Sequence, residues 1–235
     1  MKTSPLFRYE AFVAIVLSFI GGLLDVYCLF QFNLYCMLHT GNLIKLETYL
    51  LDGDYPMFLA TLLIILAFAA GIYLANLYEH HRKHTGNKGL LRISILILFA
   101  AAVIPNDSEP GVLSSLKMLS AVLFGLEGAF LLHSFIRFGD YSYSATTMTA
   151  NINRLVTGIY SRITTKDKIY NYSIRVYLLI FAFFILGVGT GYAYLRFLPR
   201  FHTGFMRFYG YNLLLLLPIT VMMILFILSD TKYKE

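Results

Sequence analysis

Charge is what this sequence has least of. Asp, Glu, Lys and Arg make up 14% of its 235 residues, against about 25% in a soluble domain. Hydrophobic residues reach 58% and mean hydropathy is +0.67. A core of this size cannot hide so much apolar side chain from water. A soluble globular chain is therefore excluded, and a polytopic membrane protein follows. Net charge is +6, but the basic residues gather in a few loops and not along a groove. That pattern reads as membrane topology and excludes a nucleic-acid partner. Cysteine is scarce too. Cys28 and Cys36 are expected to be small membrane-buried hydrophobes, not a disulfide or metal pair. There is no Trp; 18 Tyr and 20 Phe supply the lipid-facing bulk and the interfacial belt.

Chemical signatures are missing as well. Neither H-E-x-x-H nor G-x-S-x-G occurs, so no enzyme class and no cofactor is implied. His80, His81 and His84 surround Arg82-Lys83, whose positive charges oppose a metal ion, so no metal site is expected. Lys2 and Arg8 precede an apolar run as in a leader peptide. No small-x-small cleavage site closes that run, and it is read as a retained first span.

What is present is long apolar runs. A bilayer core about 30 Å thick needs roughly 20 apolar residues in a helix, and only helices satisfy the backbone there. Six spans are expected, near 9–30, 57–78, 90–104, 112–132, 176–194 and 209–228, with Pro218 kinking the last. Arg82, Lys83, Lys88 and Arg92 follow span 2. Arg137, Arg154, Arg162, Lys166, Lys168 and Arg175 follow span 4. These loops belong on the inside, which places both termini in the cytoplasm of a plasma-membrane protein. Arg196, Arg200 and Arg207 after span 5 run against the rule, and snorkelling from helix ends accommodates them.

A polar knot, Leu38 to Leu46, follows span 1. It returns after span 4 as Met148 to Leu155, with Thr40, Asn42, Lys45 and Leu46 matched by Thr149, Asn151, Arg154 and Leu155 at an offset of 109 residues. Ala67 and Gly71 match Gly187 and Gly191 at an offset of 120. The chain is thus read as one transmembrane domain over 1–235. Its fold class is all-α, with two inverted three-helix repeats, about 9–104 and 112–229. A basic cytoplasmic loop lies near 79–92, and the helices break after spans 1 and 4. Non-helical backbone is expected around His39 to Gly41, with Thr or Asn capping a short amphipathic helix over about 42–51 and Gly41 relieving the turn. The second copy is expected to do the same over about 151–163.

Gly22-Leu23-Leu24-Asp25 followed by Thr40-Gly41-Asn42 resembles the YoaK-like bacterial integral membrane protein family. Its second half usually shows Gly-x-Gln-Asn and a Thr-x-Thr-Gly-like element. Here Gly125-Leu126-Glu127-Gly128 and Thr147-Met148-Thr149-Ala150-Asn151 stand in those places, with Glu127, Gly128 and Ala150 in place of Gln, Asn and Gly. The family is a domain of unknown function, so the resemblance implies a membrane location and a span count, not a substrate.

Acids inside spans cost roughly 2.5–3.5 kcal/mol on insertion scales and signal function unless they sit at an interface. Asp25 and Glu127 are therefore candidates to carry a proton or bind a cation. His39 is either a proton relay or a hydrogen-bonded structural residue. Lys45 and Arg154 either hold an anion or lie at the interface. The leading expectation is a small-solute secondary transporter or channel-like permease. Its midplane site would be lined by Asp25, His39, Thr40, Gly41, Asn42, Glu127, Thr149, Asn151 and Arg154. The partners are then the lipid bilayer, an unidentified small solute and a second copy in a homo-oligomer. The alternative is a non-transporting protein, either a lipid-handling enzyme or a partner in a membrane complex.

Overall fold

A computed structural model describes residues 5–81, 88–105, 110–134, 137–138, 141–144, 147–197 and 209–232. Each expected apolar run contains a helix, although the fourth begins only at Ser115 and the sixth at Asn212. The α-helices are α1 (Pro5–Phe32), α2 (His39–Leu51), α3 (Tyr55–His81), α4 (Lys88–Val103), α5 (Ser115–Ser134), α6 (Met148–Thr165), α7 (Tyr170–Phe197) and α8 (Leu216–Lys232). A 3-10 turn, Asn212–Leu215, leads into α8. Two short antiparallel strands, β1 (Arg137–Phe138) and β2 (Tyr141–Ser142), pair Arg137 with Ser142 ahead of α6. Nothing in the sequence pattern announced them.

Four helices, α1, α3, α5 and α7, are long and apolar enough to cross a membrane, so the chain is a multi-pass membrane protein. The third and sixth expected spans are shorter apolar helices, Gly89–Val103 and Asn212–Leu228. At about 1.5 Å per residue, the former rises less than the roughly 30 Å of a hydrocarbon core. Pro218 lies in the first turn of α8, just after the 3-10 turn Asn212–Leu215.

The apolar window of α1 is 72% buried and that of α5 56%, whereas those of α3 and α7 are each 28% buried. Helices α1 and α5 are therefore the centre, and α3 and α7 present most of their surface outward. The short helices also turn apolar side chains out. Leu43, Ile44, Leu50 and Leu51 on α2 are exposed, as are Ile152, Val156, Ile159 and Ile163 on α6, while Asn42 and Asn151 are buried. In water that distribution would be reversed; in lipid it places each side chain in its preferred medium.

Small residues make the two closest helix contacts. A side chain at Gly22 on α1 would run into the Phe184 carbonyl of α7, and one at Gly125 on α5 would meet the Ile64 carbonyl of α3 at 2.9 Å. Likewise a Cβ on Gly191 would lie 2.5 Å from Val26, and one on Gly71 would lie 2.7 Å from Ala129. Close approach of backbones is what holds helices together where no hydrophobic effect operates. Asn212 ties the remaining elements. It accepts a hydrogen bond from the Tyr27 hydroxyl at 2.6 Å and donates to the carbonyls of Ala102 and Ile104 at the end of α4.

The cysteines differ from expectation. Cys28 near the end of α1 and Cys36 in the following loop are joined as a disulfide, with Cα atoms 6.0 Å apart. Eight residues of separation allow this because the chain reverses between α1 and α2, which composition could not reveal. Lys2, Arg82, Lys83, His84, Asn106, Asp107, Arg200 and Arg207, on which the leader, loop and metal readings also rest, lie outside the described residues.

Candidate functional site

The break in the first knot falls over 33–38, not at 39–41. His39, Thr40 and Gly41 already form the first turn of α2. No side chain caps that helix. Its N-cap is Leu38, and the N-cap of α6 is Thr147, which also makes no side-chain cap bond. The asparagines work differently. Asn42 Oδ1 accepts from the Tyr35 backbone N–H at 2.9 Å, while Asn42 Nδ2 donates to the Tyr35 carbonyl. Asn151 Oδ1 accepts from the Ser144 N–H at 3.0 Å, and its Nδ2 donates to the Ser144 carbonyl at 2.6 Å. Each amide thus clamps both backbone groups of the residue seven positions earlier. Buried non-helical backbone is left with no orphan there, which would cost about 1–3 kcal/mol per group.

Gly41 has a steric role. Its Cβ would meet the Tyr35 ring at 2.9 Å, and it is not among the residues with positive φ. The second knot carries Ala150 at that place and the smaller Ser144 opposite, so the extra methyl group has room.

Between the knots lies a cleft of about 270 Å³. Its walls are Asp25, Val26 and Leu29 of α1, Tyr35 and Leu38 of the first knot, Met148 and Thr149 of the second, and Phe184 and Val188 of α7. Asp25 is only 8% exposed. The Met37 backbone N–H reaches its carboxyl, but Oδ1 has no partner among the described residues.

Comparison with known proteins follows from this geometry. The profile of a family described as "Protein of unknown function (DUF1275)" matches residues 13–227. The chain belongs to this family. The match runs from α1 into α8 and agrees with the resemblance carried by Gly22, Asp25 and Thr40 to Asn42. No curated protein and no solved structure matches the chain.

In this DUF1275 chain the residues singled out from sequence divide into groups. Asp25 and Thr149 line the cleft. Asn42, Asn151 and Gly41 build its rims. Glu127 is fully buried and is not a wall of the cleft, one oxygen accepting from the Ser94 hydroxyl of α4 at 2.8 Å and the other without a partner among the described residues. The two carboxyl groups are within range of each other's charge. Gly128 beside Glu127 packs on the Cys36 carbonyl and Met37, so the first knot's loop rests on α5.

His39 stands apart from the cleft. Its ring lies 3.8 Å from that of Phe68 on α3. The ring stacks on Phe68 with the Cys36 backbone beside it, as befits a structural histidine. Thr40 is exposed. Lys45 is engaged by the carbonyl and side chain of Asn33 and sits 5.0 Å from the Tyr35 ring centre. Arg154 donates to Asn151 Oδ1 at 3.3 Å. Both cations brace their own knots. Among the described residues no group of His, Cys, Asp or Glu is arranged to hold a metal.

Sequence reading missed Val26, Leu29, Tyr35, Leu38, Met148, Phe184 and Val188 as cleft walls. Leu38 and Met148 open the two knots and Tyr35 lies just ahead of the first, so all three were findable by proximity. Phe184 and Val188 carry no signal beyond their place beside Gly187.

Proposed function

We propose that this protein is a small-solute secondary transporter or channel-like permease, built as an inverted repeat around the cleft between its knots. The single observation that carries this reading is that one cleft takes walls from both knots and from an acid inside the first span. The repeat is supported by contacts that recur at fixed offsets. Gly22 with Phe184 and Gly191 with Val26 become Gly125 with Ile64 and Gly71 with Ala129 on shifting by 103 residues along α1 and α5 and by 120 along α3 and α7. The partners are exchanged between halves, as a two-fold axis requires. With three apolar helices per half, the halves face opposite ways across a plasma membrane, and both termini lie in the cytoplasm.

The test is flux. Proteoliposomes containing the purified chain should move at least one solute from a panel of amino acids, sugars, amines and ions, and Asp25→Asn should abolish that movement. A chain that moves none of them, with Asp25→Asn silent in cells, sinks the reading. One observation favours the second reading, a lipid-handling or complex-forming role: seven of the nine cleft walls are residues other than Asp25 and Thr149, and all but Tyr35 are wholly apolar. A tightly retained lipid chain, found by mass spectrometry of the purified protein and lost in a Val188→Trp variant, is the result that would establish it.

A further inference from the structure

The chemistry of the cleft narrows what can occupy it. Its volume of about 270 Å³ is below the roughly 300–1,000 Å³ of sites for drug-sized ligands, so the occupant is small. Six walls, Val26, Leu29, Leu38, Met148, Phe184 and Val188, are apolar, which demands an apolar body. The carboxyl of Asp25 is the one acid among the walls, and its Oδ1 is buried without a partner among the described residues.

No Lys or Arg pairs with Asp25 or Glu127 among the described residues; Lys45 of the first knot is committed to Asn33 and Arg154 of the second to Asn151. An unpaired carboxyl at such a place is costly. A ligand ammonium that pairs with it removes the cost, whereas a neutral ligand leaves it and an anion adds to it. Tyr35 and Phe184 contribute aromatic surface, which attracts cations at the ring face.

The walls are also held in place. Gly22 seats α1 on the backbone of Phe184 and Val188. Asn42 fixes the backbone of Tyr35, and Asn151 contacts Met148 Sδ at 3.7 Å. A preformed site loses little in ordering on binding.

We propose that the cleft between the knots binds a small organic monocation, an amine or quaternary ammonium with an apolar or aromatic body, its charged end on Asp25 and its body against Val26, Leu38, Met148 and Phe184. This deepens the transport reading and rests on it for the claim that the cation is cargo. As a binding site it stands by itself.

The probe is benzyltrimethylammonium, compared with its neutral carbon isostere neopentylbenzene and with the anion phenylacetate. Binding is read by calorimetry on the full chain in nanodiscs. Saturable binding of the cation, at least tenfold tighter than the isostere and with no binding of the anion, is expected. Asp25→Asn should bring cation and isostere to within about threefold of each other. Val188→Trp, which fills the cleft without touching the acid, should remove binding of both. Equal affinity for cation and isostere overturns the proposal, as does cation selectivity surviving in Asp25→Asn. Should Asp25→Asn fail to fold, cation binding that persists in a folded Val188→Trp protein overturns it instead. Proteoliposome flux of the same cation separates the two readings. Binding without flux supports the cation site and removes the transport reading. Flux of neutral or anionic solutes by a chain that does not bind the cation overturns the cation site and leaves transport standing.

Discussion

Tyr35 and Ser144 stand at the same distance ahead of Asn42 and Asn151, and each gives both its backbone groups to that asparagine. Around this shared clamp the two knots diverge. The first pairs a large ring with Gly41, adds a disulfide from Cys28 to Cys36, and braces itself with Lys45 on Asn33. The second pairs a hydroxymethyl group with Ala150, has no cysteine, and is preceded by the β1–β2 pair. The clamp satisfies buried backbone and is retained in both. The side chains around it differ, and these form the cleft walls: an aromatic ring from one knot, a thioether and a hydroxyl from the other. The scaffolding is thus shared between the knots and the lining is not.

The acids separate the halves further. Under the offset that matches Gly22 to Gly125 and Val26 to Ala129, Asp25 falls opposite Gly128, while Glu127 falls opposite Leu24. One residue is about 100° around a helix. So Asp25 faces the cleft and Glu127 faces Ser94 of α4. Although both acids follow an apolar run beside glycines, they are not counterparts.

This comparison can be broken at several points. The largest effect is expected at the helix contacts. Gly22→Leu and Gly125→Leu each drive a side chain into a carbonyl of the facing helix and should prevent recovery of monodisperse protein, a loss of about 4 kcal/mol or more. Gly189→Leu, with nothing within 4 Å, should melt like the parent. If either core variant behaves like Gly189→Leu, the close contact it probes is absent.

Next come the clamps. Asn42→Ala and Asn151→Ala each strand two buried backbone groups and should lower stability by about 2–5 kcal/mol, with matching decreases in thermal midpoint. A large decrease for one and none for the other would end the claim that the knots are equivalent.

The smallest effect tests the compensation between Tyr35 and Gly41. Gly41→Ala should destabilise by about 1–3 kcal/mol through overpacking. Tyr35→Ser in the same chain should recover most of it, a coupling of about 1 kcal/mol or more in a double-mutant cycle. Ala150→Gly should cost no more than about 1 kcal/mol, the helix-propensity difference. Additive effects at positions 35 and 41 would show that the ring does not limit position 41.

The helical runs, the membrane class and the matching knots could be read from residue order alone, because apolar run length and the spacing of Thr, Asn and Gly are local properties. Gly187/Gly191 and Ala67/Gly71 were legible as contact stripes for the same reason. The register of those stripes was not, since Gly22 has to meet Phe184 across more than half the chain. Asn42 and Asn151 were legible as important but not in their role. A cap and a backward clamp need the same residue type, and only the path of residues 33–38 distinguishes them. The pairing of Cys28 with Cys36 depends on that path too.

By itself, then, the sequence determined a helical chain for a lipid environment, with two related polar breaks. Its surplus of apolar side chains and scarcity of charge leave no other solvent for it. Tertiary structure alone decided that α1 packs on α7 and α5 on α3, that Asp25 opens on a cleft while Glu127 does not, and that His39 stacks on Phe68. These outcomes depend on which faces meet between helices far apart in the chain, and a rotation of one residue about a helix axis is enough to exchange a wall of the cleft for a buried contact.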